Sequence, residues 1–224
     1  MSDKPHHVFT MKKMICVGVF SLLLGALSVC AMGEADIDVL SWMWYRGEHD
    51  TYHVVGEVEN LGTSSAQFVK VLATLYNETG GIVDTDFTYT YVDVIAPGER
   101  SPFKLTFWDL SATPERCRIQ WQSRETGQLP ERLVTVSNIR GYYDSDYKAF
   151  KVMGEVVNDS GFAVEFVRIV LTCYDADGEV VSCDFTYSAL DAIPPGGTSP
   201  FDAWISGQAS RVESFRYIVE YRRL

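Results

Sequence analysis

The chain has 224 residues, carries a formal net charge of −11 at pH 7 and is 46% hydrophobic, enough apolar material for a sizeable packed core. With residues 1–33 set aside, sixteen positive groups face twenty-nine negative ones, a balance of about −13. A body this acidic repels phosphate backbones, which argues against nucleic acid as a partner, and its dispersed charges read as a solvated surface.

The first segment is one of targeting. Residues 1–10 are polar, include His6 and His7, and read as an upstream extension, with Met11 as the functional start. Met11-Lys12-Lys13-Met14 then leads into an apolar run over 15–31, so residues 11–33 read as a signal peptide or membrane anchor. Three fates are open. Cleavage near Gly33 or Ala35 releases the body. Retention keeps it anchored, since about 17 apolar residues lie near the lower limit for a spanning helix. Lipid attachment at Cys30 tethers it, because Leu27-Ser28-Val29-Cys30 resembles a bacterial lipoprotein box, with Val29 where that box has a small residue. Each fate places the folded body outside the cytoplasm, secreted or on the outer face of the membrane.

The remainder is a duplication. Shifted by 98 residues, the chain matches itself without a gap, with 26 identities over the 81 positions from 44 to 124. Val54-Val55-Gly56-Glu57-Val58-Glu59-Asn60 aligns with Val152-Met153-Gly154-Glu155-Val156-Val157-Asn158. Next comes a strand whose odd positions, Val69 to Leu75, are apolar while Lys70 and Thr74 point the other way. The second copy repeats it with Val167 to Cys173 against Arg168 and Thr172. The turns Asn77-Glu78-Thr79-Gly80 and Asp175-Ala176-Asp177-Gly178 follow, with Gly where a hairpin needs positive φ. After them come Val83, Thr85, Phe87 and Tyr89, matched by Val181, Cys183, Phe185 and Tyr187. Pro97-Gly98 and Pro195-Gly196 punctuate the chain before Ser101-Pro102-Phe103 and Ser199-Pro200-Phe201. A last alternating strand closes each copy. The pattern predicts an all-β chain, two tandem immunoglobulin-like antiparallel β-sandwiches over 36–124 and 133–224. The polar linker, 125–132, restricts the separation of the domains without fixing their angle.

These motifs resemble the FxLYD domain, a small extracytoplasmic β-sandwich family. The resemblance rests on Gly56-Glu57-Val58-Glu59-Asn60 and Gly154-Glu155-Val156-Val157-Asn158, and on Leu75-Tyr76-Asn77 and Cys173-Tyr174-Asp175. The glycine turns and the two Pro-Gly-x-x-Ser-Pro-Phe segments complete it. It covers nearly all of 36–224, and it implies the fold but no catalytic, cofactor or ligand residues.

Candidate chemistry is sparse. Cys173 and Cys183 flank one hairpin. A three-residue loop centred on Gly178 sets them opposite each other, where they can bridge; a turn-plus-bulge loop sets them diagonally, where bridging needs distortion. Cys117 reads as a buried free thiol. Asp175-x-Asp177-Gly178-Glu179 faintly resembles a calcium loop but reads as a plain turn. His49 and His53, with Glu48 and Asp50 nearby, read as exposed polar residues, and no nucleophile or metal signature accompanies them. Trp42, Trp44 and Tyr45 cluster in the first strand, opposite Arg140, Tyr142 and Tyr143 of copy two; they read as core, or as an exposed aromatic platform.

The expectation is a non-enzymatic cell-envelope protein without cofactor or metal, making protein contacts through its sandwich modules. The competing expectation is a glycan or small-ligand module using Trp42–Tyr45. Each tempting feature occurs in one copy only, so any specific site was added to one domain after duplication or lies between the two.

Overall fold

A computed structural model describes residues 34–224; residues 11–33, read from the sequence as a targeting segment, and Cys30 among them lie outside the described residues. Fourteen strands form two antiparallel β-sandwiches. The first contains β1 (Ile37–Arg46), β2 (Tyr52–Asn60), β3 (Ser65–Tyr76), β4 (Ile82–Tyr89), β5 (Val94–Ile95), β6 (Arg100–Phe107) and β7 (Arg116–Thr126). The second repeats them as β8 (Val134–Asp144), β9 (Ala149–Asn158), β10 (Val164–Tyr174), β11 (Val180–Tyr187), β12 (Ala192–Ile193), β13 (Thr198–Ile205) and β14 (Ser214–Arg223). In each copy a three-stranded sheet, β1-β2-β6 or β8-β9-β13, faces a second sheet. That second sheet is centred on β3, flanked by β4, β5 and β7, or on β10, flanked by β11, β12 and β14.

Alternation explains the cores. Val69, Val71, Ala73 and Leu75 bury one face of β3, and Val54 and Val58 one face of β2, against Phe103 and Leu105 of β6. The second core repeats this with Val167, Ile169, Leu171 and Cys173 facing Val152, Val156 and Phe201.

The Asn of the repeated Gly-Glu-Val-x-Asn stretch closes the same end of both sandwiches. Asn158 Nδ2 donates to the carbonyls of Phe162 and Ile193, both at 2.9 Å, while its Oδ1 accepts from the Ser160 amide at 3.0 Å. Asn60 makes the same three contacts with Ser64, Ile95 and Gly62. The Pro-Gly turns serve these asparagines. Gly98 and Gly196 adopt φ of +76° and +70° and donate to the carbonyls of Asn60 and Asn158 at 2.7 and 2.8 Å.

The 98-residue offset holds from β2 onward but not in the first strand. Met43 lies across from Val55, and Arg140 lies across from Met153, so there the offset is 97. The β8–β9 connection accommodates the extra residue. Trp44 therefore corresponds to Gly141 and Tyr45 to Tyr142, which corrects the alignment by uniform offset. The correction exposes a volume exchange in the cores. Copy one sets the large Trp44 with the small Cys117 at the edge of its core, and copy two sets Gly141 with Phe215. A Cβ on Gly141 would stand 2.7 Å from ring carbons of both Phe150 and Phe215. Gly141→Ala is expected to destabilise by about 1–3 kcal/mol through overpacking, read as a lowered midpoint in urea. A smaller ring-free residue at 215 should relieve the penalty.

The linker does not leave the angle of the domains free. β7 continues through Thr126 and β8 begins at Val134, so the joint is residues 127–133. Across it the outer face of β1-β2-β6 lies on the outer face of the β10-centred sheet. Val55, which points away from its own core, is 0% exposed, and Val170 of the second copy belongs to the core cluster of the first. The result is four stacked sheets in one body.

Candidate functional site

Four sheets present three inter-sheet layers, and the middle one joins the two copies. Its contacts come from residues that look like solvent-facing positions in the sequence. Tyr174 donates its hydroxyl proton to Glu57 Oε1 at 2.7 Å. The Val180 amide donates to Ser41 Oγ at 3.0 Å, and the Cys183 thiol donates to the Phe103 carbonyl at 3.4 Å. Tyr91 meets Phe185 edge-on at 5.4 Å. At the linker end Arg168 reaches the Tyr91 carbonyl at 2.6 Å, Asp93 at 3.0 Å and Glu220, and Arg132 forks onto Glu99 at 2.9 and 3.0 Å.

Glu57 is the unusual member. Its equivalent, Glu155, is exposed, whereas Glu57 is 2% exposed under copy two. Burial pushes its carboxyl above the usual range, opposed by the Tyr174 hydrogen bond and the nearby Arg100, Thr172 and Arg216. A cleft of about 200 Å³ opens beside it, lined in part by Glu57, Arg100, Thr172 and Arg216. That is smaller than the pockets of roughly 300–1,000 Å³ that bury drug-sized ligands.

The residues singled out from the sequence fall into place around this layer. Trp42 and Trp44 pack against the first core, Trp44 stacked on Tyr52 at 6.0 Å. Tyr45 points the other way, into the middle layer, where its hydroxyl is buried without a hydrogen-bond partner among the described residues. Its oxygen stands where a Cβ on Gly207 would be, 2.3 Å away. Trp42, Trp44 and Tyr45 are half-buried and divided between two faces, so they do not form one exposed platform.

Cys173 and Cys183 are free thiols. Cys173 lies across from Ser182 and Cys183 across from Thr172, one residue away from the register that would face the two sulfurs. A β-bulge at Cys173/Tyr174 makes the slip, and in a strand a slip of one reverses the face. Cys173 therefore enters its own core while Cys183 enters the interdomain layer. Of the two arrangements the sequence leaves open, the one that sets the cysteines opposite each other is not adopted. Burial pushes the Cys173 and Cys117 thiols up to about 12 and raises that of Cys183 as well, so all three stay protonated and poorly nucleophilic. Without any reductant, peptides containing Cys173 and Cys183 are expected to be alkylated only after denaturation. Alkylation that needs prior reduction would show a bridge.

The Asp175 turn uses its carboxylate within the protein. Oδ1 accepts from the amides of Asp177 and Glu179 at 3.1 and 3.0 Å, and Oδ2 pairs with Arg211 at 2.6 Å. Asn77 accepts from the Gly81 amide at 2.8 Å in copy one, the same turn chemistry. His49 is exposed in its loop at φ +54°. His53 is held between the hydroxyls of Thr51 and Thr106 at 3.1 and 3.0 Å, with burial and then Lys104 lowering its pKa. The two histidines do not converge on a common site.

One surface was missed. The outer face of β8-β9-β13, equivalent to the face that copy one buries, is open in copy two. Tyr142, Lys151 and Trp204 form a cross-strand row on it. Lys151 Nζ lies 4.2 Å from the Trp204 ring centroid, Tyr147 packs on that ring at 4.9 Å, and Trp204 Nε1 donates to Asp202 at 3.1 Å. Tyr142, Trp204 and Tyr147 are 45%, 41% and 72% exposed. A signal was present: Phe201, Ala203 and Ile205 alternate inward, which sends Asp202 and Trp204 outward.

No family model matches the chain, and no curated protein matches it. Among solved structures, it is similar to a red sea bream transglutaminase at 11% identity and TM-score 0.25. A calcium-binding mutant of Bacteroides uniformis β-glucuronidase 2 is comparable, at 10% and 0.24. In both, 85% of this chain is covered but only 29% and 32% of the other, so the chain spans about a third of the length of the solved chains it matches. Likeness at that level assigns nothing to this chain.

Proposed function

We propose that this is a non-enzymatic, extracytoplasmic module of the FxLYD type, held at the cell envelope by its N-terminal segment, that binds other proteins through the open outer face of β8-β9-β13. The observation that supports this reading is the contrast between equivalent faces. The fold uses this face for sheet-on-sheet docking in copy one, covering Val55 and Glu57, and leaves it open in copy two under Tyr142, Lys151 and Trp204. Exposed Tyr and Trp beside a cation are the side chains that anchor protein interfaces.

The test is cross-linking in the native envelope, with a photo-reactive group replacing Tyr142 or, as control, the remote Glu78. Adducts to a defined envelope protein from position 142, lost on Trp204→Ala and absent from position 78, are expected. Glycan binding by the same face, abolished by Trp204→Ala, would replace the protein-contact reading.

A further inference from the structure

All chain joints of the body lie at one end. Residue 34 enters there, its carbonyl accepting from the Thr63 amide at 2.9 Å. The joint 127–133 crosses there, with Leu133 N donating to the Tyr221 hydroxyl at 3.4 Å. The chain ends there, with Leu224 N bonded to the Ala163 carbonyl at 3.0 Å. This end is greasy. Leu61, Leu129, Leu133 and Leu224 are 48%, 78%, 48% and 73% exposed. The opposite end carries Glu48, Asp50, Glu78, Asp144, Asp146 and Asp177 on its hairpin tips beside exposed Ile82, Trp108 and Tyr147, so exposed leucines alone do not set the two ends apart.

Two phenylalanines make the contrast specific. Phe68 and Phe166 occupy equivalent β-bulges near this end, at φ of +52° and +49°, and are 59% and 58% exposed. A bulky residue is costly in the left-handed region, where glycine is the ordinary choice. Nothing in either core repays that cost, because both rings point to solvent. An arginine stands over each ring: Arg124 Cζ lies 5.6 Å from the Phe68 centroid and Arg222 Cζ 5.2 Å from that of Phe166. Both pairs survive in the two copies although the surrounding sequence has diverged.

We propose that this end rests on the bilayer surface, with Phe68 and Phe166 set into the headgroup–acyl boundary and Arg124 and Arg222 on the phosphates above them. The proposal rests on the reading of residues 11–33 as a membrane-targeting segment. The apolar run over 15–31 lies just upstream of residue 34, so a chain retained or lipidated there delivers this end, and not the acidic tips, to the membrane. An aromatic ring under a guanidinium matches the layering of that boundary, apolar below and phosphate above. Glu125 and Glu165 are immediate neighbours in the same strands, so the attraction is apolar and does not require anionic lipid.

The experiment places p-benzoylphenylalanine at position 68, 166 or, as control, at Tyr147 on the far end, in the full chain reconstituted in phosphatidylcholine vesicles. Irradiation is expected to give at least fivefold more lipid adduct from 68 and 166 than from 147. A second series carries the probe at Leu133 in the Phe68→Gly/Phe166→Gly background, which suits the positive φ and whose folding is checked by thermal melting. There the adduct yield is expected to fall severalfold. Equal yields from both ends in chains that float with the vesicles would overturn the proposal and leave the targeting reading intact. So would an unchanged yield in the glycine background. Failure of the full chain to float would overturn the targeting reading, and the proposal with it.

Discussion

Asn158→Ala is expected to lower stability by about 4 kcal/mol, through loss of two amide donors that serve buried carbonyls. The residue is 0% exposed; removing its side chain takes the Asn158 partner from the Ile193 carbonyl and the Ser160 amide, and leaves the Phe162 carbonyl with the Ser160 hydroxyl at 2.9 Å as its remaining donor. A buried polar group without a partner costs about 1–3 kcal/mol, so two of them exceed the net worth of ordinary hydrogen bonds. For a chain of this size the melting temperature should fall by roughly 8–16 °C. Asn158→Asp should be worse, because it removes both donors and buries a charge. Asn60→Ala is expected to behave alike, having the same three contacts. Glu78→Ala, an exposed control, should stay within about 0.5 kcal/mol.

Breaking the Tyr174–Glu57 pair should loosen the body at its middle layer. Tyr174→Phe removes the donor at 2.7 Å and leaves a carboxylate buried beside Arg100 at 3.7 Å, a loss of about 1–3 kcal/mol. Glu57→Gln acts in the opposite direction at neutral pH. The folded-state pKa of Glu57 is raised, with burial the largest cause, so its ionised form is disfavoured by folding. The stability it contributes is complete below the ordinary carboxylate range and is lost as pH rises through the raised folded value. Tyr174, Thr172, Arg100 and Arg216 face it from β10, β6 and β14 and moderate that loss. Glu57→Gln keeps an acceptor for Tyr174 and removes the titration. Melting temperatures should therefore favour the variant at pH 7 and converge with the parent near pH 4. A variant less stable than the parent at pH 7 would show that the Arg100 and Arg216 charges outweigh burial.

Much of the fold is legible in the chain because duplication and alternation speak together. The odd apolar positions of β3 and β10, the glycines at positive φ and the Pro-Gly turns each occupy the place that local chemistry assigns. The middle layer was illegible for a physical reason. Arg168, Thr172 and Tyr174 alternate with the core residues as solvent-facing positions do, and a face buried on another domain can carry polar groups when partners such as Glu57 and Asp93 are supplied. Which of the two cysteine registers holds turns on one bulged residue, which period-two patterning does not locate. Local aromatic density in the sequence is highest at Trp42–Tyr45, which is not the exposed surface. Trp204 is the one aromatic on the outer face of its strand and gains company only when β8 and β9 bring Tyr142 and Lys151 beside it.

The central claim is that both copies form one body by stacking the outer face of β1-β2-β6 on the β10-centred sheet. Small-angle X-ray scattering of residues 34–224 tests it most directly. Sandwiches stacked face to face, with centres about 20 Å apart, should give a radius of gyration of about 16 Å. A value near 24 Å, as for two domains strung end to end about 40 Å apart, would contradict it.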